Sequence, residues 1–169
     1  MEYTHVKHTF LPVYNEESRI LILGSFPSVK SRENQFYYGH PQNRFWKVIA
    51  GIFKEPLPQT IDEKEDLLLR HRIAVWDVID SCDIVGSSDS SIRNVVPNDM
   101  NLILSNAKIQ GIFANGGKAH QLFVKYCHKE GMPPLGKLPS TSPANAAWNL
   151  ERLTAEWKTA FGMYLEITE

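Results

Sequence analysis

The fold class is decided by an apolar run and the small, polar turn that ends it, Ile20-Leu21-Ile22-Leu23-Gly24-Ser25-Phe26-Pro27-Ser28. A run of consecutive apolar residues predicts a strand that is buried on both faces, as in a parallel sheet. Gly24 allows a sharp backbone turn, and Pro27 ends the strand. Because open α/β folds bind ligands beyond the carboxyl ends of their parallel strands, we expect a binding site to begin at Gly24.

Strand and helix patterns alternate along the rest of the chain. Apolar segments typical of buried strands lie at residues 20–23, 73–76, 109–114 and 135–138. Segments with a helical spacing of apolar residues lie at about 43–53, 62–70, 99–107, 119–127 and 146–161. This alternation predicts an α/β fold with a mainly parallel sheet. No internal repeat or linker interrupts it, so we expect a single domain over residues 1–169.

Three segments lack such periodicity. The N-terminal residues, which include His5 and His8, are polar, and we expect them to be mobile. Residues 30–36 are charged and are expected to form an exposed linker. Residues 80–99 are expected to form a long, turn-rich loop, and a loop of that length within a compact domain is more often functional than idle.

The composition and the cysteine pattern exclude several classes of protein. The formal net charge is −1, so no overall basic field attracts nucleic acid, although a local basic patch would suffice. Cys82 and Cys127 form no CxxC pair, and among the histidines only His5 and His8, in the segment expected to be mobile, have a tight ligand spacing. We therefore expect no metal and no other cofactor. Two buried free thiols in a reducing cytosol are the favoured interpretation of the cysteines.

The sequence gives no sign of export or membrane insertion. Residues 1–10 lack the apolar core of a signal peptide. No apolar run approaches the ~20 residues that span a bilayer. We therefore expect a cytoplasmic protein without a membrane partner, and a monomer is the default assumption.

Small polar residues follow three of the predicted strands, at residues 24–28, 115–117 and 139–145. Because these strand ends share one edge of a parallel sheet, we expect them to converge on one site. Asn115 is either a turn residue or a ligand contact. Residues 140–142 either bind phosphate oxygens through hydroxyl and N–H groups or form an ordinary loop before a capped helix.

A second polar and aromatic segment precedes the first long helix, Tyr37-Tyr38-Gly39-His40-Pro41-Gln42-Asn43-Arg44-Phe45-Trp46. Its aromatic rings and hydrogen-bonding groups are typical of a pocket for a planar, polar ligand. The same residues have structural interpretations. Asn43 stands where a helix N-cap is expected, and Tyr37 and Tyr38 can be packing residues.

Three other side chains have a structural and a functional interpretation. Ser25 follows a strand as an esterase nucleophile would, but the GxSxG motif is absent, which favours a simple tight turn. Lys118 and Arg93 are either solvated charges or phosphate contacts.

Several motifs resemble the hypoxanthine-DNA (deoxyinosine) glycosylase family, the sixth family of the uracil-DNA glycosylase superfamily. The resemblance rests on residues 24–28 and 37–46 and, further along, on residues 76–79, 90–94, 96–99, 113–119 and 138–144. Mismatch-specific relatives of that family carry a similar His-Pro-x-Asn-Arg-Phe-Trp stretch. The motifs follow the family's order, and the resemblance covers residues 20–161.

The resemblance implies a three-layer αβα sandwich around a four-stranded parallel sheet in the order 2-1-3-4. It implies a monofunctional glycosylase that removes deaminated bases from DNA and so starts base excision repair. Hypoxanthine is the chief expected base, with xanthine or uracil as further candidates. The expected partner is DNA, which places the protein at the nucleoid. The alternatives are a non-catalytic DNA- or nucleotide-binding domain of the same fold and a small-molecule hydrolase that uses Ser25.

The family's site residues map onto this sequence position by position. Asn43 matches the catalytic asparagine, whose amide can donate to the leaving base and accept from water. The wider superfamily places Asn or Asp in the first motif, but residues 24–28 contain neither, so strong uracil activity is not expected. The implied base-pocket residues are Gly24, Ser25, Phe26, Tyr37, Tyr38, His40 and Asn115. The implied contacts to DNA phosphates and the minor groove are Ser28, Lys118, Ser140, Thr141, Ser142, Pro143, Ala144 and Asn145.

Overall fold

The computed structural model describes residues 2–168. The strands are β1 (Thr4–Lys7), β2 (Ile20–Gly24), β3 (Ile73–Asp77), β4 (Ile79–Ile84), β5 (Arg93–Pro97), β6 (Gly111–Asn115) and β7 (Leu135–Leu138). The helices are α1 (Val29–Asn34), α2 (Phe45–Phe53), α3 (Ile61–Arg70), α4 (Asn101–Leu104), α5 (Gly117–Tyr126) and α6 (Leu150–Phe161). A 3₁₀ turn spans Asp89–Ser91.

The central sheet is parallel and has the strand order β3-β2-β6-β7. In chain order these are the second, first, third and fourth strands of that sheet, which confirms the expected order. β2 lies in the middle, and Ile20 to Leu23 are completely buried. Each such aliphatic side chain contributes about 1.5–3 kcal/mol to folding. The run of apolar residues is therefore explained by a strand with no solvent-facing side.

Helices cover the two faces of this sheet. The chain moves from β2 to β3 in one direction and then returns past β2 to β6 and β7. Because crossovers between parallel strands are right-handed, this reversal places α2 and α3 on one face and α5 on the other. α6 packs against α2, where the rings of Phe45 and Trp157 meet edge to face at 5.9 Å. The result is the expected αβα layering.

A second, antiparallel sheet contradicts the prediction of a long loop at residues 80–99. It has three strands in the order β1-β4-β5. Only the connection between β4 and β5, which includes the 3₁₀ turn, is irregular. The strands were missed because β5 is mostly exposed and β4 pairs with it through two register shifts, so neither shows a clean alternation of apolar residues.

The prediction of an exposed linker at residues 30–36 is also wrong. These residues lie largely in α1, whose N-cap Ser28 accepts a hydrogen bond from the backbone N–H of Ser31. Ser31 and Phe36 are buried, and Gln35 ends the helix in the left-handed conformation with φ 56°. A helix this short gives no readable period, so its charged exposed residues dominated the sequence pattern.

The N-terminal segment is part of the core packing rather than the expected mobile extension. β1 pairs with β4, and Val13 forms an antiparallel bridge with Val75. His8 is buried, and its backbone N–H donates to the carbonyl of Asp80. The segment therefore reaches the same edge of the central sheet as the strand ends that the sequence highlighted.

The remaining differences concern element ends and the cysteines. Strand β6 begins two residues later than predicted, helix α4 is limited to Asn101–Leu104, and helix α6 begins after its N-cap Asn149. Both cysteines are free and buried, as predicted, and burial raises the pKa of each thiol to about 11. Within residues 2–168, none of the helices has the length and apolar character needed to cross a membrane.

Candidate active site

A cavity of about 260 Å³ opens at the carboxyl edge of the central sheet. The three predicted strand ends converge there with the segment before α2. The lining residues are Gly24, Ser25, Phe26, Pro27, Ser28, Ser31, Tyr37, Tyr38, His40, Asn43, Asp77, Ser87, Asp89, Asn115, Ser140, Thr141, Ser142 and Pro143.

The side-chain amide of Asn43 is held by two hydrogen bonds to its oxygen. The backbone N–H of Phe45 and the hydroxyl of Thr141 each donate to Oδ1, both at 2.9 Å. These donors use both lone pairs of the oxygen. Nδ2 donates to no protein group in the described part of the chain. Asn43 thus supports the start of α2 from one position before the cap, Arg44, and still offers a donor to the cavity.

Asn115 and Thr141 determine which way the Asn43 amide is turned. Nδ2 of Asn115 donates to Oγ1 of Thr141 at 3.0 Å, and its Oδ1 accepts the backbone N–H of Thr141 at 3.0 Å. Because Oγ1 already accepts from Asn115, its own hydrogen points to Asn43. Thr141 is completely buried, so this relay is shielded from water. It ties the end of β6 and the loop after β7 to the start of α2.

Arg44 is a site residue that the sequence interpretation missed. Its guanidinium donates to the backbone carbonyls of Thr141, Ser142, Asn145 and Trp148. A rigid, five-donor fork suits such a set of acceptors, and a lysine could not supply it. Arg44 therefore fixes the shape of the loop after β7, and its place directly beside Asn43 was the available signal.

Position 24, at the floor of the cavity, has no room for a side chain. Gly24 pairs in register with Asp77 of the neighbouring strand β3. A Cβ at this position would lie 2.5 Å from Oδ1 of Asp77 and 3.3 Å from the hydroxyl of Tyr38. The absent side chain leaves room for the Asp77 carboxylate at the strand end.

Asp77 and His8 form a buried pair that sequence reasoning did not identify. Nε2 of His8 lies 2.9 Å from Oδ2 of Asp77, and the two side chains are only 2% and 5% exposed. The imidazole packs among the rings of Phe10 and Tyr37, with centroids 4.3 Å and 5.9 Å away. Asp77 lies within residues 76–79, one of the segments that resemble the glycosylase family. His8 could not be identified from the sequence, because its partner is 69 residues away.

Tyr38 presents an unpaired hydroxyl next to that pair. Its ring stacks on Phe45 with centroids 4.0 Å apart, and its backbone has φ 53°, which is unusual for a tyrosine. The hydroxyl is buried and has no hydrogen-bond partner among residues 2–168. Burial and, secondly, the charge of Asp77 raise the pKa of Tyr38, so the phenol stays protonated.

Tyr37 differs from Tyr38, although both line the cavity. Tyr37 is 2% exposed, its ring packs edge to face on Phe36 at 5.4 Å, and its hydroxyl donates to the carbonyl of Leu11. Burial raises the pKa of Tyr37 strongly. Its main contribution is to hold the N-terminal segment against the site.

Ser25, His40 and Phe26 occupy other parts of the wall. The Ser25 hydroxyl donates to Oδ1 of Asp89 at 3.0 Å, so a carboxylate rather than a histidine base holds it. Nδ1 of His40 accepts the backbone N–H of Gln42 at 3.1 Å, which leaves its proton on Nε2. Phe26 lines the cavity as an apolar ring.

Known proteins share the sequence and the fold of this chain. The model of the family described as "Uracil DNA glycosylase superfamily" matches residues 11–165. This chain belongs to the uracil DNA glycosylase superfamily. Within the superfamily, the chain is 36% identical over 159 residues to a protein from Methanosarcina acetivorans named hypoxanthine DNA glycosylase, covering 92% of this chain and 98% of the relative. A Methanosarcina barkeri protein of the same name is 35% identical over 116 residues, covering 67% and 73%.

A solved superfamily structure shares the fold. The solution NMR structure of a protein from Methanosarcina acetivorans superimposes with a TM-score of 0.73 at 33% identity. The match covers 90% of this chain and 94% of that one. The predicted resemblance to the superfamily is confirmed.

In this superfamily member, most of the predicted site residues line one cavity. The predicted residues outside the lining are Lys118, Ala144 and Asn145. Ala144 and Asn145 lie in an adjoining groove with Trp148. The part of the chain that the structure describes contains no group of three or more His, Cys, Asp or Glu side chains placed to hold a metal ion.

Proposed function

We propose that this chain is a monofunctional DNA glycosylase that hydrolyses the N-glycosidic bond of deaminated bases, chiefly hypoxanthine. The observation that carries the proposal is the fixed Asn43 amide, whose Nδ2 is a preoriented donor in a cavity large enough for one base. The relatives named hypoxanthine DNA glycosylase support the choice of base. Because the cavity admits a base and not a duplex, the target nucleotide must leave the stack to enter it.

The proposed reaction breaks the bond between the sugar C1′ and the purine N9. The bonding electron pair leaves with the base, and the sugar develops oxocarbenium character. The oxygen of water then bonds to C1′, water releases one proton to the solvent, and the departing base takes up one proton. A donor that meets the negative charge developing on the base lowers the barrier. Nδ2 of Asn43 supplies that donor without reorganisation, because Thr141 already holds the amide.

The hydrogen bonds to Oδ1 of Asn43 bear on which of two roles we propose for its amide. The sequence interpretation gave its amide both a donor role toward the base and an acceptor role toward water. Oδ1 already accepts from Phe45 and Thr141, so we propose the donor role alone. The lining of the cavity contains no lysine, and a lyase step through a protein amine is therefore not part of the proposal.

The DNA contacts are proposed on the rim of the cavity. Ser28, Ser140 and Ser142 are partly exposed there and can approach phosphate oxygens. Pro143 lines the rim, and Ala144 and Asn145 line the adjoining groove. We propose that these residues enter the space left by the base. Lys118 is proposed to add a cationic contact. Thr141 does not fit the phosphate role that the sequence suggested, because it is buried and both functions of its hydroxyl are taken.

We further propose that a monomer acts as a single domain at the nucleoid of the cytoplasm. The cavity and its hydrogen-bond relay are built within one chain, which supports a monomer. The location follows from the DNA substrate. Sedimentation of the free protein and of its DNA complex tests the monomer.

The deciding experiment is single-turnover cleavage of duplex oligonucleotides that carry one deoxyinosine or one deoxyuridine. The expected result is strand breakage only after alkali, mainly with deoxyinosine, and its loss in Asn43→Ala. Asn101→Ala, an exposed asparagine on α4, is the matched control and should retain activity. Faster release of uracil would overturn the choice of base. Salt-sensitive DNA binding without release from either substrate would instead support a non-catalytic binding domain.

A further inference from the structure

Several polar atoms in and beside the cavity have no protein partner among residues 2–168, including Nε2 of His40 and Oδ2 of Asp89, and three of them bear on the choice of ligand. These three are Nδ2 of Asn43, Oδ1 of Asp77 and the hydroxyl of Tyr38. The first is a donor and the second an acceptor. Since buried polar groups are normally hydrogen-bonded, atoms left unpaired in a cavity indicate which groups a ligand must bring.

The acceptor, Oδ1 of Asp77, is held in place because the other oxygen of the carboxylate is bound to His8. His8 occupies Oδ2 of Asp77, and burial of a carboxylate is costly unless it is paired in this way. Oδ1 lies within 2.5 Å of where a Gly24 side chain would begin, so glycine keeps this oxygen uncovered. An ionised carboxylate accepts hydrogen bonds and cannot donate them.

Deamination changes the base edge in a way that this pair of atoms can detect. In adenine, the exocyclic amine donates and the adjacent ring nitrogen N1 accepts. In hypoxanthine, the carbonyl oxygen O6 accepts and N1–H donates. Conversion of cytosine to uracil makes the same exchange at its own edge. The products therefore share a lactam, an N–H next to a C=O, which needs one acceptor and one donor from the protein.

We propose that Asp77, oriented by His8, accepts the lactam N–H of the flipped base and makes the site selective for deaminated bases. The proposal rests on the glycosylase function proposed above and adds a specificity residue to it. Adenine would place the acceptor N1 against the carboxylate, and a site built to bind a donor rejects an analogue that lacks it. Asp89 is the other carboxylate among the described lining residues, and its Oδ1 already accepts from the Ser25 hydroxyl.

The test is a binding measurement, so that it does not depend on turnover. Duplexes carry one 2′-fluoroarabino nucleotide of hypoxanthine or of adenine, which resists hydrolysis, and Kd is measured for each. The wild-type protein should prefer the hypoxanthine duplex. Asp77→Asn should reduce that preference about tenfold or more, because an amide can also donate and so accommodate adenine. Asp80→Asn, a nearby carboxylate on β4, is the matched control and should keep the preference.

Two His8 variants keep the test decisive if Asp77→Asn does not fold. His8→Gln retains an N–H donor at a similar reach and should keep the hypoxanthine preference, whereas His8→Phe should weaken it. An unchanged preference in folded Asp77→Asn, or an equal loss in His8→Gln and His8→Phe, would overturn the proposal. If Asp77→Asn keeps the preference but no longer releases the base, Asp77 acts on the water or the sugar, which also overturns it. Absence of base release in the wild-type protein, with the preference present and dependent on Asp77, would refute the glycosylase function alone.

Discussion

The hydroxyl of Thr141 donates to Oδ1 of Asn43 across 98 residues of sequence, at 2.9 Å. Together with the backbone N–H of Phe45, this bond turns the Asn43 amide so that its N–H₂ group remains for a ligand. The orientation is enforced because Asn115 donates to the same hydroxyl and leaves it one way to point. The proposed catalytic group is therefore set by the start of α2 and by a buried relay from distant parts of the chain.

Removing the relay hydroxyl should impair base release more than folding. Thr141→Val keeps the shape but loses the bond to Asn43 and the bond from Asn115. We expect at least a tenfold fall in the single-turnover rate, about the 1.4 kcal/mol that one net hydrogen bond is worth. Thr141→Ser should retain most of the rate. Thr159→Val, at an exposed position of α6, serves as control. Equal rates for Thr141→Val and wild type would contradict the orienting role.

Replacing Arg44 by lysine should loosen the loop after β7. A lysine cannot reproduce the four carbonyl contacts of the guanidinium, and we expect a loss of about 2–3 kcal/mol in the free energy of unfolding. Hydrogen exchange should locate the faster-exchanging amides in residues 140–148. Arg93→Lys, an exposed change on β5, should have little effect on these amides. Unchanged exchange in the loop would show that other contacts hold it.

A methyl group at position 24 should displace the Asp77 carboxylate and so impair the site. In Gly24→Ala the new Cβ would meet Oδ1 of Asp77 at 2.5 Å and must displace it. We expect a destabilisation of about 1–3 kcal/mol, seen in urea unfolding, together with loss of base release. Gly117→Ala is the matched control, because nothing lies within 4 Å of its added Cβ. A fully active Gly24→Ala would mean that the carboxylate position does not matter.

Glu55 should make stability depend on pH in the acid range. Hydrogen bonds from Arg70 and then His71 lower the pKa of Glu55 from 4.5 to about 2. A carboxyl whose pKa is lower in the folded state stabilises it fully above the unfolded pKa, and this contribution is lost as the pH falls from 4.5 to about 2. Urea unfolding should show Glu55→Gln less stable than wild type at pH 7. The difference should disappear near pH 2, and a difference that persists there would contradict the assignment.

Local signals in the sequence were sufficient for the central sheet. β2 was predictable because a strand buried on both faces must be apolar throughout, and the following Gly24 and Pro27 marked its end. The segment before α2 was predicted as a site mainly from the resemblance to a family, because Asn43 and the two tyrosines also have structural interpretations. The order of the strands came from the resemblance to a family and not from periodicity.

Local signals were insufficient for β4, β5 and α1. β4 and β5 form a small sheet whose exposed side needs no apolar alternation, and α1 is too short to show a period. Their stability comes from pairing with segments distant in sequence, such as β1 with β4. A strand that is stabilised by pairing with a distant segment cannot be predicted from its own residues alone.

By itself the sequence determined where the buried strands and the turn-rich site segments lie, because burial dictates residue type along a single strand. Only the tertiary structure decided how the candidate site is assembled. It joined His8 to Asp77, placed the oxygen of Asp77 in the space left by Gly24, and turned the amide of Asn43 through Thr141. These are contacts between segments far apart in the chain, and their geometry is fixed by packing rather than by any property of the individual residues.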